Sequence, residues 1–428
     1  MTLVRGIRKW DLVLLVLNAI IGAGIFGLPS RVFALSGVYS IAAFVVCAVP
    51  VFLIILCFAE VTSRFKDTGG PYLYARHTFG PLVGFEMGWL AWIARLSAVA
   101  ALCNLFVDYL SYFVPASGAG TGRALVQIVV IGLLAAINFL GVRLSAKATN
   151  IFTIGKLIPL LIVAIAGAFW IDPARYASGE PPTYSAFSSS VLLLFYAFTG
   201  FEPAVIPAGE TENPRTDLPF ALLAGISIVT VLYITIQTVA VGVLPGLATS
   251  VRPLADVGGR IFGSPGAGLV ALGAIVSVTG AMNASMLAAP RLLFAMAEQQ
   301  QLPAIVGATH PQFRTPHVAI VMSVAGFLAL TLSGTFASAA QLSTIVRLMI
   351  YGATCAALPV LRRRPDTTPA SFKVPGGDVL AGAAVILVLW LLSSSSATEA
   401  RQAAIAAGIG LLLFVAFARR RAPAEAAL

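Results

Sequence analysis

The chain has 428 residues, of which 59% are hydrophobic and only 10% are charged, and its mean hydropathy is +0.94. Soluble domains carry a charge on about a quarter of their residues, so this composition excludes an ordinary soluble globule. It also excludes a disordered chain. The remaining class is a polytopic helical membrane protein. The net charge of +10 then needs an explanation other than nucleic-acid binding.

Twelve apolar runs are long enough to cross a bilayer as helices, which takes about 20 residues each. In chain order, the predicted spans are 10–35, 38–61, 83–113, 124–142, 149–171, 187–209, 218–246, 261–289, 318–337, 341–361, 379–397 and 402–418. The first of them lacks the features of a cleaved signal sequence, so we expect it to be retained. A short interfacial helix is expected after Pro71. No polar stretch between spans is long enough to fold alone, so we predict a single membrane domain.

The basic residues indicate how the chain is oriented in the membrane. Twelve crossings place both termini on one side. If that side is the cytoplasm, 18 of the 27 Lys and Arg residues fall in inside segments and 6 in outside segments, while Arg95, Lys156 and Arg347 lie within spans. This bias follows the positive-inside rule and predicts cytoplasmic termini in a cell membrane, which we interpret as a bacterial inner membrane. The positive charge therefore indicates topology and contact with anionic lipid, not nucleic acid.

The side chains that usually carry catalysis are scarce and badly spaced for it. All four cysteines fall in apolar runs without metal-like spacing, so we interpret them as buried hydrophobes. The three histidines fall in predicted cytoplasmic loops, and the sequence contains no HExxH, CxxC, P-loop or nucleophile-elbow pattern. We therefore expect no enzyme, no metal site and no cofactor. Without a nucleotide-binding motif, a secondary transporter is left.

Two predicted spans contain helix-breaking residues in matching positions. Span one has three glycines between residues 22 and 27, and span six has Gly200, Glu202 and Pro203 in one turn. Close helix packing through small residues is an alternative explanation of the glycines. Breaks five helices apart are typical of inverted-repeat transporters. Since freed backbone amides suit a carboxylate and freed carbonyls suit an ammonium group, the pattern predicts a zwitterion pocket near the midplane.

Several segments resemble the amino acid, polyamine and organocation (APC) family of permeases. They are 22–26 (Gly-Ala-Gly-Ile-Phe), 196–202 followed by 209–215, and 280–284 leading to 291–297. The resemblance covers essentially the whole chain. It implies an all-α leucine-transporter fold, with inverted five-helix repeats at 10–171 and 187–361 and two peripheral helices at 379–418. By the same resemblance, spans 1, 2, 6 and 7 would rock against spans 3, 4, 8 and 9.

The resemblance also implies a substrate site on spans one and six. The positions that match the family's site are Ile20, Gly22, Ala23, Gly24, Tyr196, Ala197 and Thr199. In relatives, the glycine-rich segment holds the substrate carboxylate and span-six carbonyls take the amino group. Ala23 stands where several relatives have Ser, so carboxylate binding would depend on backbone amides. Tyr196 stands where some relatives place a gating Trp.

Lys156 is the first functional candidate among the charges inside spans, each of which costs at least about 2.5 kcal/mol on insertion scales. It resembles the span-five lysine that replaces a sodium ion between spans one and eight in sodium-independent relatives. Its expected partners are Ser277 or Thr279 and carbonyls near Gly22. Because desolvation favours the neutral amine, we expect it to couple transport to protons. The alternative is a lysine that snorkels to the head groups.

Three further charges lie inside predicted spans. Glu202 either satisfies free backbone amides of the span-six break or acts as a proton-linked switch, the role given to the matching acid in some antiporter relatives. We expect Arg95 to pair with Glu86 or to reach the cytoplasmic vestibule, with a direct hold on an acidic substrate as a lesser alternative. Arg347 would most simply pair with carbonyls or a gate residue.

We therefore predict a secondary amino acid permease that works by alternating access. Protons are the expected coupling ion, or the protein exchanges substrates. Neutral amino acids are favoured because no obvious carboxylate besides Glu202 awaits a cationic side chain; a cationic amino acid or polyamine permease or antiporter is the runner-up. A receptor or scaffold that binds amino acids without moving them is the alternative from another class. The expected partners are an amino acid and the lipid bilayer, and the oligomeric state stays open.

Overall fold

The computed structural model describes residues 8–65, 70–140, 145–177, 179–202, 214–365 and 368–418. Within these ranges the chain consists of α-helices joined by short helical turns and loops, and it contains no β-strand. A helix satisfies its backbone hydrogen bonds within one segment, which is the arrangement that an apolar chain needs in lipid. The predicted all-helical fold class is therefore confirmed for the described residues.

Fourteen α-helices lie in the described part of the chain. The first half contains α1 (Lys9–Ile20), α2 (Ala23–Ser36), α3 (Ser40–Thr62), α4 (Gly70–Phe79), α5 (Pro81–Leu110), α6 (Gly120–Leu140) and α7 (Ser145–Gly167). The second half contains α8 (Tyr184–Phe198), α9 (Pro214–Val243), α10 (Pro253–Glu298), α11 (His317–Ser333) and α12 (Phe336–Arg363). The last two are α13 (Gly377–Ser393) and α14 (Ala397–Leu413).

Many of these helices have the length and composition of membrane spans. In the described residues, seven segments are long and apolar enough to cross a bilayer: Ala23–Thr62, Pro81–Leu110, Gly120–Leu140, Thr216–Val243, Pro253–Glu298, Phe336–Arg363 and Ala397–Phe417. Four apolar helices are shorter: Lys156–Trp170, Tyr184–Phe198, His317–Ser333 and Gly377–Ser393. The chain is thus a multi-pass membrane protein. Twelve crossings and the leucine-transporter fold stay predictions.

Both helix interruptions expected from the sequence are present. The first span is two helices, because Ile21 and Gly22 leave the helical conformation between α1 and α2. In the sixth span, α8 ends at Phe198, and Gly200 has a φ of 102°. Pro203, the 209–213 part of the family-like segment and its neighbours lie outside the described residues. The short helix expected after the second span is confirmed as α4.

The two breaks lie against each other through glycines. A Cβ atom on Gly200 would lie 2.6 Å from the carbonyl oxygen of Ala19, beside the first break. A Cβ atom on Gly24 would lie 2.4 Å from the Cα atom of Ala197, at the end of α8. Both distances are too short for a side chain, so glycine allows the backbones to approach each other. There is a second reason for glycine at position 200, because its positive φ disfavours residues that have a side chain.

A buried carboxylate ties the end of α3 to the end of α12. Glu60 is fully buried and accepts hydrogen bonds from Arg362 Nε at 2.7 Å and Arg362 Nη2 at 2.6 Å. It also accepts one from the Val374 amide at 2.7 Å, and Arg64 lies at 3.4 Å. A buried charge is tolerated when it is paired and hydrogen-bonded in this way. The cluster therefore joins helices that lie about 300 residues apart in the chain.

The contact between the breaks gives the first testable prediction. Gly24→Ala should lower the thermal stability of the protein in detergent by an amount typical of overpacking, about 1–3 kcal/mol, because the new methyl group clashes with the Ala197 backbone. Gly132→Ala on α6 is the matched control, since a methyl group at that position would have no neighbouring atom within 4 Å. Equal melting temperatures for the two variants would contradict the close approach of α2 to α8.

Candidate functional site

Lys156 places its ammonium group in the break between α1 and α2. Its Nζ atom donates to the carbonyl oxygen of Asn18 at 2.5 Å and to that of Ile21 at 2.8 Å. The residue is only 4% exposed, so its ammonium does not reach out toward the membrane surface as a snorkelling lysine would. A side chain of α7 thus supplies a cation to the backbone of the first span.

The carbonyls at the end of α1 are largely satisfied by groups from other helices. The last carbonyls of any helix lack intrahelical partners. Here Lys156 donates to the carbonyls of Asn18 and Ile21. The Tyr233 hydroxyl of α9 donates to the carbonyl of Ile20 at 3.3 Å. The positive charge of Lys156 also complements the negative end of the α1 dipole. The carbonyl side of the break is therefore filled from within the protein.

The expected hydroxyl partners of Lys156 are arranged differently. Thr279 Oγ1 donates to the Ile275 carbonyl of its own helix at 2.7 Å, a bond that helical threonines commonly make. Ser277 Oγ is buried without a hydrogen-bond partner among the described residues. This differs from the expectation that one of them bonds to Lys156. The backbone carbonyls near Gly22 supply the contacts instead.

The amide side of the first break has hydrogen-bond donors that the described residues leave unpaired. The N–H groups in the first turn of α2, from Ala23 to Ile25, have no partner within their helix. No other hydrogen bond to them occurs among the described residues. Ala23, Gly24 and Ile25 are all buried, and their amides lie at the positive end of the α2 dipole. Such a turn can bind a carboxylate through its backbone alone, which matters because Ala23 has no hydroxyl.

The second break gathers the other residues of the predicted site. Thr199 ends α8 by donating to the Tyr196 carbonyl twice, from its amide at 3.3 Å and from its hydroxyl at 2.8 Å. Tyr196, Ala197 and Thr199 are buried, and the Tyr196 ring packs edge-on against Phe336 of α12. Through the glycine contacts described above, the span-one and span-six positions lie at one place in the fold. Their part in substrate binding stays a prediction.

Glu202 is held by two side chains of α12. Its Oε1 atom accepts a hydrogen bond from Arg347 Nη1 at 2.5 Å and a close one from the Tyr351 hydroxyl. Arg347 is further positioned by Ser343, whose Oγ lies 3.4 Å from Arg347 Nε. Neither the pair nor Tyr351 was expected from the sequence. A tyrosine in an apolar span is a usable signal, because its buried hydroxyl needs a partner.

Arg95 and Glu86 lie apart, although both belong to α5. Arg95 Nη1 donates to the Ala91 carbonyl of its own helix at 3.2 Å. Glu86 instead lies against α14, where a Cβ atom on Gly410 would come within 2.5 Å of its carboxylate. Nine residues along a helix correspond to two and a half turns, so the two side chains leave α5 on opposite sides. The alternative of an Arg95–Glu86 pair is therefore wrong.

Comparisons with known proteins show the family to which the chain belongs. A family model described as amino acid permease matches residues 7–417. Three relatives from Bacillus subtilis (strain 168) are similar over almost their whole length. The methylthioribose transporter is 28% identical, covering 98% of this chain and 94% of the relative. The branched-chain amino acid permease BcaP is 26% identical over the same shares. The serine/threonine exchanger SteT is 29% identical, covering 93% and 92%.

The match covers both helix breaks as well as Lys156, Glu202 and Arg347. It agrees with the resemblance found in the sequence, and it identifies a transporter, not an enzyme. The chain belongs to the amino acid permease family, within the APC permeases.

Proposed function

We propose that the protein is a secondary active amino acid transporter that works by alternating access, with its substrate bound between the breaks of spans one and six. The asymmetry of the first break carries this proposal. Its carbonyl side is occupied by Lys156, while the buried amides of α2 have no partner among the described residues. A pocket with free amides and an internal cation suits the carboxylate of an amino acid. The leucine-transporter fold with twelve spans belongs to the same proposal.

Neutral amino acids are the proposed substrates. Glu202 is the carboxylate closest in sequence to the second break, and Arg347 and Tyr351 already engage it. A cationic side chain would have to compete with Arg347 for it, which makes the cationic and polyamine alternative the weaker one. Two of the relatives are named for neutral amino acids, branched-chain in one case and serine and threonine in the other.

Protons are the proposed coupling ion, with substrate exchange as the alternative. The ammonium of Lys156 fills the position between α1 and α7 that a metal ion could otherwise take, so coupling does not require sodium. Loss of its proton would remove the charge that holds the Asn18 and Ile21 carbonyls. The end of α1 would then be released from α7. This is a change of contacts that an alternating-access cycle can use.

A transport assay tests the proposed function directly. In proteoliposomes that contain the purified protein, we expect uptake of labelled neutral amino acids, several-fold faster with an inward proton gradient. The panel should also contain cationic amino acids, a polyamine and methylthioribose, the substrate in the name of one relative. Empty liposomes give the background. Absence of both uptake and exchange for every amine-bearing substrate would overturn the proposal, and binding without flux would favour the receptor alternative.

Lys156→Ala tests the coupling role. The variant loses two charge-assisted hydrogen bonds, each worth about 1.5–3 kcal/mol, and leaves the Asn18 and Ile21 carbonyls unpaired. We expect slower uptake that no longer responds to the proton gradient. Lys156→Gln retains an N–H donor without a proton that titrates, so it should recover some uptake but not the response to the gradient.

Lys373→Ala is the control for these variants, because Lys373 is exposed. It should transport like the unchanged protein at every pH. If Lys156→Ala and Lys156→Gln keep the full response to the proton gradient, Lys156 has no part in coupling.

Cytoplasmic termini are proposed from the distribution of basic residues, and cysteine labelling tests this. Glu180→Cys and Gln312→Cys introduce thiols at exposed positions of two loops. The proposed topology places Glu180 outside and Gln312 inside. A membrane-impermeant maleimide should label intact cells only at position 180 and permeabilised cells at both positions. The four native cysteines are buried, so their background should be low. The reverse pattern would invert the topology.

A further inference from the structure

Arg95 is a membrane-embedded cation with few partners. It is the fifteenth residue of the 30-residue helix α5, which places it near the middle of that span. Its side chain is half-buried, and one hydrogen bond is found for it in the described part of the chain, to the Ala91 carbonyl of its own helix. A guanidinium group has five N–H donors. Most of its hydrogen-bonding capacity is therefore available.

Arg95 lies beside the cluster that α12 forms with Glu202. The hydroxyl of Ser343 on α12 lies within reach of Arg347 Nε at 3.4 Å and donates to the carbonyl of Ala94 at 3.1 Å, one residue from Arg95. Arg95 is also within electrostatic reach of Glu202 and Arg347. Helices α5 and α12 thus bring two guanidinium groups to the same depth in the membrane.

The charges in this cluster do not balance. Among the described residues it contains two guanidinium groups, Arg95 and Arg347, and one carboxylate, Glu202. Glu202 is bound by Arg347 and Tyr351, and no hydrogen bond joins it to Arg95 among the described residues. A charge inside a membrane protein is normally paired or directed into a water-filled cavity. One positive charge is left over here, on a side chain that is partly exposed.

The cluster of Arg95, Arg347 and Glu202 adjoins the proposed substrate site through Arg347 and Glu202. Arg347 donates to Glu202 at 2.5 Å, and Glu202 lies three residues beyond Thr199 at the second break. A ligand whose α-carboxylate binds the amides of α2 would direct its side chain to the surroundings of that break. The charge there repels a cationic side chain and attracts an anionic one. Acidic side chains are therefore compatible with the same surroundings that disfavour cationic ones.

We propose that Arg95, adjoining Arg347, is the subsite for a side-chain carboxylate, so that the transporter accepts acidic amino acids in addition to neutral ones. This inference rests on the proposed function. A guanidinium group can bind a carboxylate with two parallel hydrogen bonds, and Arg95 has the free donors for them. A neutral substrate leaves Arg95 hydrated, whereas an acidic substrate neutralises the excess charge. Arg95 is then a residue that determines specificity.

Two assays test this inference. One measures the thermal stabilisation of the purified protein by added ligands. The other measures competition with the uptake of a labelled neutral amino acid in proteoliposomes. Aspartate and glutamate are compared with neutral amino acids, and chloride is included as a simple anion. Gluconate salt is added where needed, so that all samples have the same ionic strength. We expect aspartate or glutamate to stabilise the unchanged protein and to compete for uptake. In Arg95→Gln, the affinity for the acidic amino acid relative to a neutral one should fall at least tenfold.

Two further variants separate charge from structure. Arg95→Lys keeps the positive charge and should recover part of the preference for the acid. Arg401→Gln removes an exposed arginine of α14 and should leave the preference unchanged. If Arg95→Gln does not fold, the comparison of the unchanged protein with Arg95→Lys still decides the matter, since loss of the bidentate geometry should weaken acid binding alone several-fold.

The outcomes distinguish this inference from the proposed function. If neutral amino acids bind and are transported while aspartate and glutamate do neither, the proposed acidic subsite is wrong and the proposed transport function is unaffected. An unchanged acid preference in Arg95→Gln would also overturn the subsite, as would stabilisation by chloride without stabilisation by either acid. If no amino acid of any kind binds, the proposed function itself fails.

Discussion

A backbone group inside a membrane must have a hydrogen-bond partner, and the rest of this structure depends on that requirement. Each unpaired amide or carbonyl in lipid costs several kcal/mol. An unbroken helix pairs its groups internally, whereas the first span gives up this pairing at Ile21 and Gly22. Lys156 and Tyr233 donate hydrogen bonds to the carbonyls that this break leaves without a helical partner. The amides of α2 from Ala23 to Ile25 have no hydrogen-bond partner among the described residues.

The two breaks are coupled because their backbones are in contact. Gly200 lies against Ala19 and Gly24 lies against Ala197, with no room for a side chain at either glycine. A shift of α1 therefore moves the carbonyls held by Lys156 and also the surface against which the second break rests. Glu202 extends this connection to α12 through Arg347 and Tyr351. The ammonium of Lys156 and the Glu202–Arg347 ion pair thus act on one set of packed backbones.

The features that could be predicted from the sequence are those that leave a local trace. Glycines at midspan predicted the first break, and a lysine in an apolar run predicted a buried cation. The pairing of Glu202 with Arg347 left no such trace, because the partners are 145 residues apart and either charge had several possible partners. Thr279 shows the opposite limit. Its hydroxyl was expected to bond to Lys156, but it donates to the Ile275 carbonyl of its own helix instead.

Helix α12 carries an arginine at two heights, each bound to a carboxylate from another segment: Arg347 to Glu202, and Arg362 to Glu60. The two arginines are 15 residues apart, which corresponds to about 22 Å along the axis and about 60° around it. A rod fixed at two such points cannot spin about its long axis or slide lengthwise without breaking an ion pair. The motion that breaks neither ion pair is a tilt of the helix axis. Helix α12 can therefore tilt together with its neighbours while the same face of the helix stays turned toward them.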